Sequence, residues 1–386
     1  MEYAVKIKKK FEELFGTEPF LVCSPGRVNL IGEHTDYNMG FVLPAAIDKA
    51  IYFAIAPNGG TECTLYSVDM DDTFKFSTCC LEFSEKHWVN YLMGVVDQLK
   101  KRGHEINGFN CVFGGDIPIG AGLSSSAAIE AGLAFALNDI FRLGIEKMEL
   151  VRLAQKAENE FVGVQCGIMD QYINIFGKAG NVLRIDCRSL DYDYFPFDFD
   201  DISIVLFNTM VSHSLASSEY NQRRKECAAG VEVIQKKYPN VKSLRDVSIE
   251  MIREYAEILN PVIYKRCKYV VEENDRLIRA CDSLNKGDLK TFGNLMNETH
   301  EGLSKDYEVS CEELDYLVEL TKEIPEVYGS RMMGGGFGGC TINLIENGAV
   351  EKVSNYVSEK YKMKFNNEPK IYITKIHDGT QIIRDI

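Results

Sequence analysis

Between Ser24 and Tyr37 the chain crowds Arg27, Glu33, His34 and Asp36 beside the backbone breakers Pro25, Gly26 and Gly32. Each charged group would be costly to bury unpaired, so this is not the composition of an ordinary core strand. Several donors and acceptors within a few residues suit a polyhydroxylated ligand, whose hydroxyls need fixed polar partners rather than apolar area. A solvated turn rich in charge is the alternative.

A second dense run, Gly114-Gly115-Asp116-Ile117-Pro118-Ile119-Gly120-Ala121-Gly122-Leu123-Ser124-Ser125-Ser126-Ala127, follows a strand-like stretch and opens a helix. In that context backbone N–H groups and the helix dipole converge on an anion. Gly120 and Gly122 allow close backbone approach. The serines supply caps and donors, and Ser126 has a hydroxyl suited to a metal ion. The run lacks G-x-x-x-x-G-K-[ST], which excludes a Walker-A nucleotide site, and as G-x-G-x-x-S it misses the dinucleotide fingerprint. A capped core helix after a tight turn is the alternative, but Gly-Ala-Gly ahead of three serines favours phosphate.

A formal dinucleotide match at Gly334-Gly335-Gly336-Phe337-Gly338-Gly339 has its context reversed, with a helix expected before it and a strand after it. The Rossmann reading is rejected. The loop approaches either a ligand phosphate or the other domain. Taken alone, Asp170 in Gly167-Ile168-Met169-Asp170-Gln171 reads as a cap or turn residue, and Glu158 as a surface carboxylate. Ser217-Ser218-Glu219-Tyr220 reads as a helix start. His213 and His300 have no ligand-spaced partner and receive no metal role.

The elements that must position these residues are legible in outline. Residues 1–16 form an amphipathic helix with Val5, Phe11, Leu14 and Phe15 on one side and Lys6, Lys8, Lys9 and Lys10 solvated. Strands are expected at 50–55, 63–68, 109–113, 202–207, 341–345 and 371–376. Helices are expected at 88–101, 123–141, 146–162, 218–237, 262–281, 289–303 and 311–324. The stretch 123–141 is apolar on nearly every face, hence buried. The acidic, aromatic segment 191–201 is the expected connection between two domains. The fold class is mixed α+β, with domains expected at 1–195 and 196–386.

At 386 residues the chain is long for one core. Its 45% hydrophobic and 26% charged content is that of a soluble globular protein. A formal charge of -14 argues against a nonspecific nucleic-acid binder. An anionic substrate must therefore be drawn in by local positive groups. The 12 cysteines are scattered without a C-x-x-C, and no signal-peptide or membrane-spanning run occurs. A cytosolic location with free thiols, and a monomer, are the expectations.

Together the three segments resemble the GHMP small-molecule kinases, and within them the galactokinases. The run from Gly26 to Tyr37 is similar to the galactokinase signature, Gly120 to Ala127 to the phosphate motif, and Met333 to Thr341 to the third motif. Further matches lie at Gly167 to Gln171, at 213–220 and at Ile376 to Thr380. Ser24, Met333 and Gly335 depart from the usual Ala, Thr and Ala.

The resemblance implies an ATP-dependent transfer of phosphate to the C1 hydroxyl of galactose. It implies Asp170 as catalytic base, with Arg27 beside it stabilising the transferring phosphoryl group. Glu33, His34, Thr35, Asp36 and Tyr220 would bind the sugar, with the Gly167 backbone nearby. Gly120, Ala121, Gly122, Leu123, Ser124, Ser125 and Ser126 would wrap the ATP phosphates, and Ser67 would contact the nucleotide. Ser126 and Glu158 would hold Mg²⁺. The alternatives are an N-acetylgalactosamine 1-kinase and a non-catalytic galactose and ATP sensor. The intact phosphate loop, Arg27 and Asp170 argue against the sensor.

Overall fold

The computed structural model, which describes residues 2–118, 120–212 and 216–384 without the side chains of 212 and 216–218, opens with helix α1 (Glu2–Phe15). Its buried face is Ala4, Ile7 and Phe11, a spacing of three and four that lays one stripe against Leu21, Ala54 and Val112. Val5 and Leu14 were expected on that face and instead lie exposed, because the contact stripe is one residue wide per turn.

The strands are β1 (Phe20–Asn29), β2 (Phe41–Val42), β3 (Pro44–Pro57), β4 (Glu62–Ser67), β5 (Asp72–Ser77), β6 (Phe109–Gly115), β7 (Asn181–Asp186), β8 (Tyr192–Pro196), β9 (Ile202–Ser212), β10 (Val327–Met332), β11 (Gly338–Glu346), β12 (Lys370–Thr374) and β13 (Gln381–Ile382). The helices after α1 are α2 (His87–Lys101), α3 (Ser125–Ile140), α4 (Lys147–Lys156), α5 (Met169–Phe176), α6 (Ala216–Gln235), α7 (Ile249–Arg253), α8 (Pro261–Asn285), α9 (Leu289–Glu301), α10 (Glu312–Lys322) and α11 (Val350–Phe365).

Among the described residues three sheets result, ordered β13-β1-β3-β6-β4-β5, β10-β11-β9-β12 and β2-β7-β8. In the first, β1 runs antiparallel to β3, with a register shift between Pro25 and Arg27. Gly26 sits at that irregularity, where a Cβ would come within 2.9 Å of the Leu123 carbonyl oxygen. The missing side chain is what lets the glycine-serine loop lie against β1. Helix α3 packs on the same strand. It is Ala-rich, buried along most of its central turns, and takes even Glu130 into the interior.

Apolar packing is continuous from Val28 of β1 and Leu30 just after it to Leu206 of β9 and Ile342 of β11. Segment 191–201 is more than a connection, since 192–196 form β8 and pair with β7. The Gly334–Gly339 loop is preceded by strand β10, not by a helix, and is the turn of a β10–β11 hairpin. The polar residues Ser330 and Arg331 hide that strand from an apolar-pattern reading. No helix among the described residues is long and apolar enough to cross a membrane.

Candidate active site

A cavity of about 530 Å³ opens where the end of β1, the start of α5, the start of α6 and the β10–β11 turn meet. Arg27, Glu33, His34, Asp36, Gly167, Asp170 and Tyr220 all line it, with Gly334 and Gly335 from the hairpin. Residues separated by three hundred positions thus share one wall. His213 lies outside the described residues, as do the side chains of Ser217 and Ser218.

Arg27 is supplied by β1 and Asp170 by the first turn of α5. Their contact is bidentate, Nε to Oδ1 at 2.8 Å and Nη2 to Oδ2 at 3.0 Å. The Ser124 hydroxyl donates to Asp170 Oδ2 at 2.5 Å. Ser124 heads α3 in a left-handed conformation (φ 59°, ψ 51°) and makes no capping bond with its side chain. Its hydroxyl serves the carboxylate instead, at the cost of a left-handed backbone at Ser124. A carboxylate has about four acceptor positions. Three are occupied here, which leaves one for a ligand hydroxyl.

The glycine-serine loop is tied to the same pair. Arg27 Nη1 donates to the Gly122 carbonyl at 2.5 Å, and the Arg27 backbone N–H donates to Leu123 at 3.2 Å. Ala121 and Leu123 anchor the loop in the core. Gly120 and Gly122 have positive φ and open space where a Cβ would be. Ser125 and Ser126 form the first turn of α3, so its free N–H groups stand over a half-open surface beside Arg27. Ser67 is buried at the end of β4, paired with Phe113 of β6, and does not line the cavity.

On the other wall, Glu33 Oε1 accepts from Arg331 Nη2 at 3.0 Å and from the Gly334 backbone N–H at 2.8 Å. Arg331 is fully buried in β10 and also donates to the carbonyls of Asn29, Leu30 and Met332. One carboxylate oxygen is therefore spent on the fold, and the other is left for a ligand. Asp36 packs so closely on Gly167 that a Cβ there would lie 1.8 Å from Asp36 Oδ2. Burial pushes the Asp36 carboxyl up to about 6, against the opposing backbone N–H of Tyr37. Burial likewise pushes the His34 imidazole down to about 4, against the pull of Glu33. His34 is neutral at pH 7. Thr35 is brought to the site's frame but not to its surface, since its hydroxyl donates to the carbonyls of Gly32 and Phe41.

Glu158 is buried in a π-helical segment (Ala157–Val162) that continues α4, not exposed as its type alone suggests. Its Oε2 accepts from Gln171 Nε2 at 2.8 Å, and Ser126 bonds the same carboxyl. Buried Glu130 stands beside it, and burial and Glu158 together push the Glu130 carboxyl well up. Glu130 Oε1 has no protein partner. The Glu158 carboxyl, the Ser126 hydroxyl and the unpartnered Glu130 oxygen are all oxygen donors, a set that fits a hard cation drawing its remaining ligands from phosphate and water. Among the described residues no cluster of three His, Cys, Asp or Glu side chains forms a protein-only metal site.

Arg331, Glu130, Gln171 and the pairing of Ser124 with Asp170 escaped the sequence reading. One signal for Arg331 was available: an acid amid the apolar residues Leu30 and Ile31 demands a buried cation from elsewhere.

Three family models match the chain. They are the galactokinase galactose-binding signature at residues 9–57, the GHMP kinases N terminal domain at 90–178 and the GHMP kinases C terminal at 277–362. The chain is 42% identical over 381 residues to a galactokinase of Roseiflexus sp. strain RS-1, covering 98% of this chain and 97% of that one. It is 42% identical over 389 residues to a galactokinase of Clostridium acetobutylicum, covering 99% and 100%. A crystal structure of Lactococcus lactis galactokinase complexed with galactose superposes with a TM-score of 0.93 at 35% identity, covering 98% of this chain and 99% of that one. The Methanococcus jannaschii mevalonate kinase shares the fold, with a TM-score of 0.68 at 18% identity over 94% and 99% of the two chains.

Proposed function

This chain belongs to the galactokinase family of the GHMP kinases, and from that membership we propose that it transfers the γ-phosphoryl group of ATP to the C1 hydroxyl of α-D-galactose. The products are galactose 1-phosphate and ADP. The observation that carries this reading is the Arg27–Asp170–Ser124 cluster, which stands between the polar cavity and the N-terminus of α3.

In this reading the second oxygen of Glu33, the imidazole of His34, the carboxylate of Asp36 and the phenol of Tyr220 hold the sugar hydroxyls. Thr35 shapes the turn that presents them. Asp170 receives the C1 hydroxyl at its remaining acceptor position and takes its proton as the oxygen closes on phosphorus. Arg27 holds Asp170 in place through its two hydrogen bonds, and its guanidinium faces the charge of the transferring group. Phosphoryl transfer passes through a loose transition state, so in-line positioning and charge neutralisation supply most of the acceleration.

Gly120, Ala121, Gly122, Leu123, Ser124, Ser125 and Ser126 cradle the phosphates with backbone N–H groups, and Ser67 contributes from the nucleotide side. Ser126 and Glu158 would hold Mg²⁺, which when bound neutralises phosphate oxygens. A cytosolic monomer divided near residues 195 and 196 completes the proposal.

The test is ATP consumption with galactose, glucose, N-acetylgalactosamine and arabinose as acceptors. Turnover is expected with galactose and much less with the others. Absence of turnover with galactose refutes the proposal.

A further inference from the structure

Behind the cavity wall, a chain of hydrogen bonds runs from His34 into the interior. His34 Nδ1 is 2.8 Å from the Tyr37 hydroxyl, which is 2.8 Å from the Tyr307 hydroxyl, which is 3.3 Å from Cys227 Sγ. Tyr307 and Cys227 are completely buried. The Tyr307 backbone is clamped by Arg223, which donates from Nε to the Tyr307 carbonyl at 2.8 Å and from Nη2 to the Glu308 carbonyl at 2.7 Å. The His34 ring is caged by Tyr37, Tyr220 and Tyr307 at centroid distances of 5.8, 5.4 and 4.9 Å. Its backbone sits in the left-handed region at φ 63°. The other ring nitrogen, Nε2, is buried and makes no close hydrogen bond; His34 lines the cavity beside Gly335, whose backbone favours a proton on the ring.

Such a chain has two polarities. In one, the thiol donates to Tyr307, Tyr307 to Tyr37, and Tyr37 to His34 Nδ1, so Nε2 carries the ring proton. In the other every bond reverses: the imidazole N–H donates to a phenol, the phenols donate inward, and the last one ends on sulfur. Sulfur is weak as donor and as acceptor, so the far end discriminates little. The near end decides. A phenol O–H is the strongest neutral donor in the chain and an imidazole nitrogen its most basic acceptor, and only the first polarity joins them.

We propose that Tyr37 is a positioning residue: by donating to Nδ1 it holds His34 as the Nε2–H tautomer and gives the sugar pocket a neutral donor. The inference rests on the sugar-kinase reading for its consequence. Glu33, Asp36 and Asp170 can only accept, so hydroxyls pinned by them need a donor for their oxygen. His34 supplies it without adding a charge.

The test uses the full-length protein labelled with [¹⁵N]histidine, without ligand at pH 7, the His34 signals being assigned by their loss in His34→Gln. Nε2 should show the protonated, pyrrole-type shift and Nδ1 the pyridine-type shift. Tyr307→Phe should preserve that pattern, because the Tyr37 proton then has only Nδ1 to go to. Tyr37→Phe should move both nitrogens toward the average of two tautomers. The same variant should raise the galactose KM about fivefold with kcat within about twofold, since Tyr37 does not reach the transferring group.

An Nδ1–H pattern in the parent protein overturns the inference whatever the variants do. So does an unmoved His34 spectrum in Tyr37→Phe. The spectrum requires no turnover, so failure of the galactose reading and failure of the tautomer assignment are separately visible.

Discussion

Galactose binding should weaken about tenfold between pH 7 and pH 5, and Asp36 is the reason. Its carboxyl is buried against Gly167 and pushed up to about 6. Only the ionised form offers the sugar two full acceptor oxygens. With a midpoint near 6, the ionised fraction falls from about nine-tenths at pH 7 to about one-tenth at pH 5, which is about 1.4 kcal/mol of lost binding. His34 does not interfere, because burial holds it down to about 4 and it stays neutral throughout this range.

The sign for the unligated protein is opposite. A carboxyl raised from 3.8 to about 6 stabilises the fold fully below its unfolded value and loses that contribution as pH rises through 6. The amount is about 3 kcal/mol. Galactose should therefore bind best where Asp36 strains the empty protein most. Calorimetric titration of galactose without nucleotide, at pH 5, 6 and 7 in two buffers of different ionisation enthalpy, measures both quantities. Near pH 5 most of one proton should be released per sugar bound, and Asp36→Asn should remove the slope. Equal affinity at pH 5 and 7, or proton uptake on binding, would refute the reasoning.

Asp170→Asn should lower kcat by about a thousandfold while leaving galactose KM within a few-fold; near-normal turnover would show that Asp170 is not the base. Gly167→Ala places a Cβ 1.8 Å from Asp36 Oδ2, so it should raise galactose KM by about tenfold or more. An unchanged KM would mean that Asp36 has room to move. Gly293→Ala sets a Cβ 1.9 Å from the Tyr328 carbonyl oxygen where α9 crosses β10. It should cost about 2–3 kcal/mol in urea unfolding with kinetics unchanged in the folded fraction, and a loss within error would contradict that contact.

Much of this arrangement was readable before any coordinates, because the chemistry sits in contiguous runs. Arg27 to Asp36 and Gly120 to Ser126 each announce a polar purpose through residue types that a core rejects. Seven helices between 88 and 324 showed themselves through periodicity, but the short α5, which carries Asp170, and α7 did not. What stayed hidden depends on partners distant in sequence. Arg331 in β10 argues against a strand until Glu33 and the carbonyls of Asn29 and Leu30 are brought to it. Glu130 leaves no mark in a stretch read as apolar, and only the fold places it beside Glu158. Asp170 alone resembled a cap; its pairing with Arg27 spans 143 positions and leaves no local mark.

The Arg331 clamp limits how this molecule could be recombined with its relatives. It reaches 301 positions back to Leu30 and 298 back to Glu33. A chimera with a single crossover between those sites draws the acid from one parent and the base from the other. If the second parent presents any other residue, a carboxylate is stranded in the interior, a loss of about 3–5 kcal/mol, comparable to much of a domain's total stability. Viable hybrids should therefore inherit both ends of the clamp from a matching pair. The sugar loop and the glycine hairpin are one heritable unit, though most of the chain lies between them.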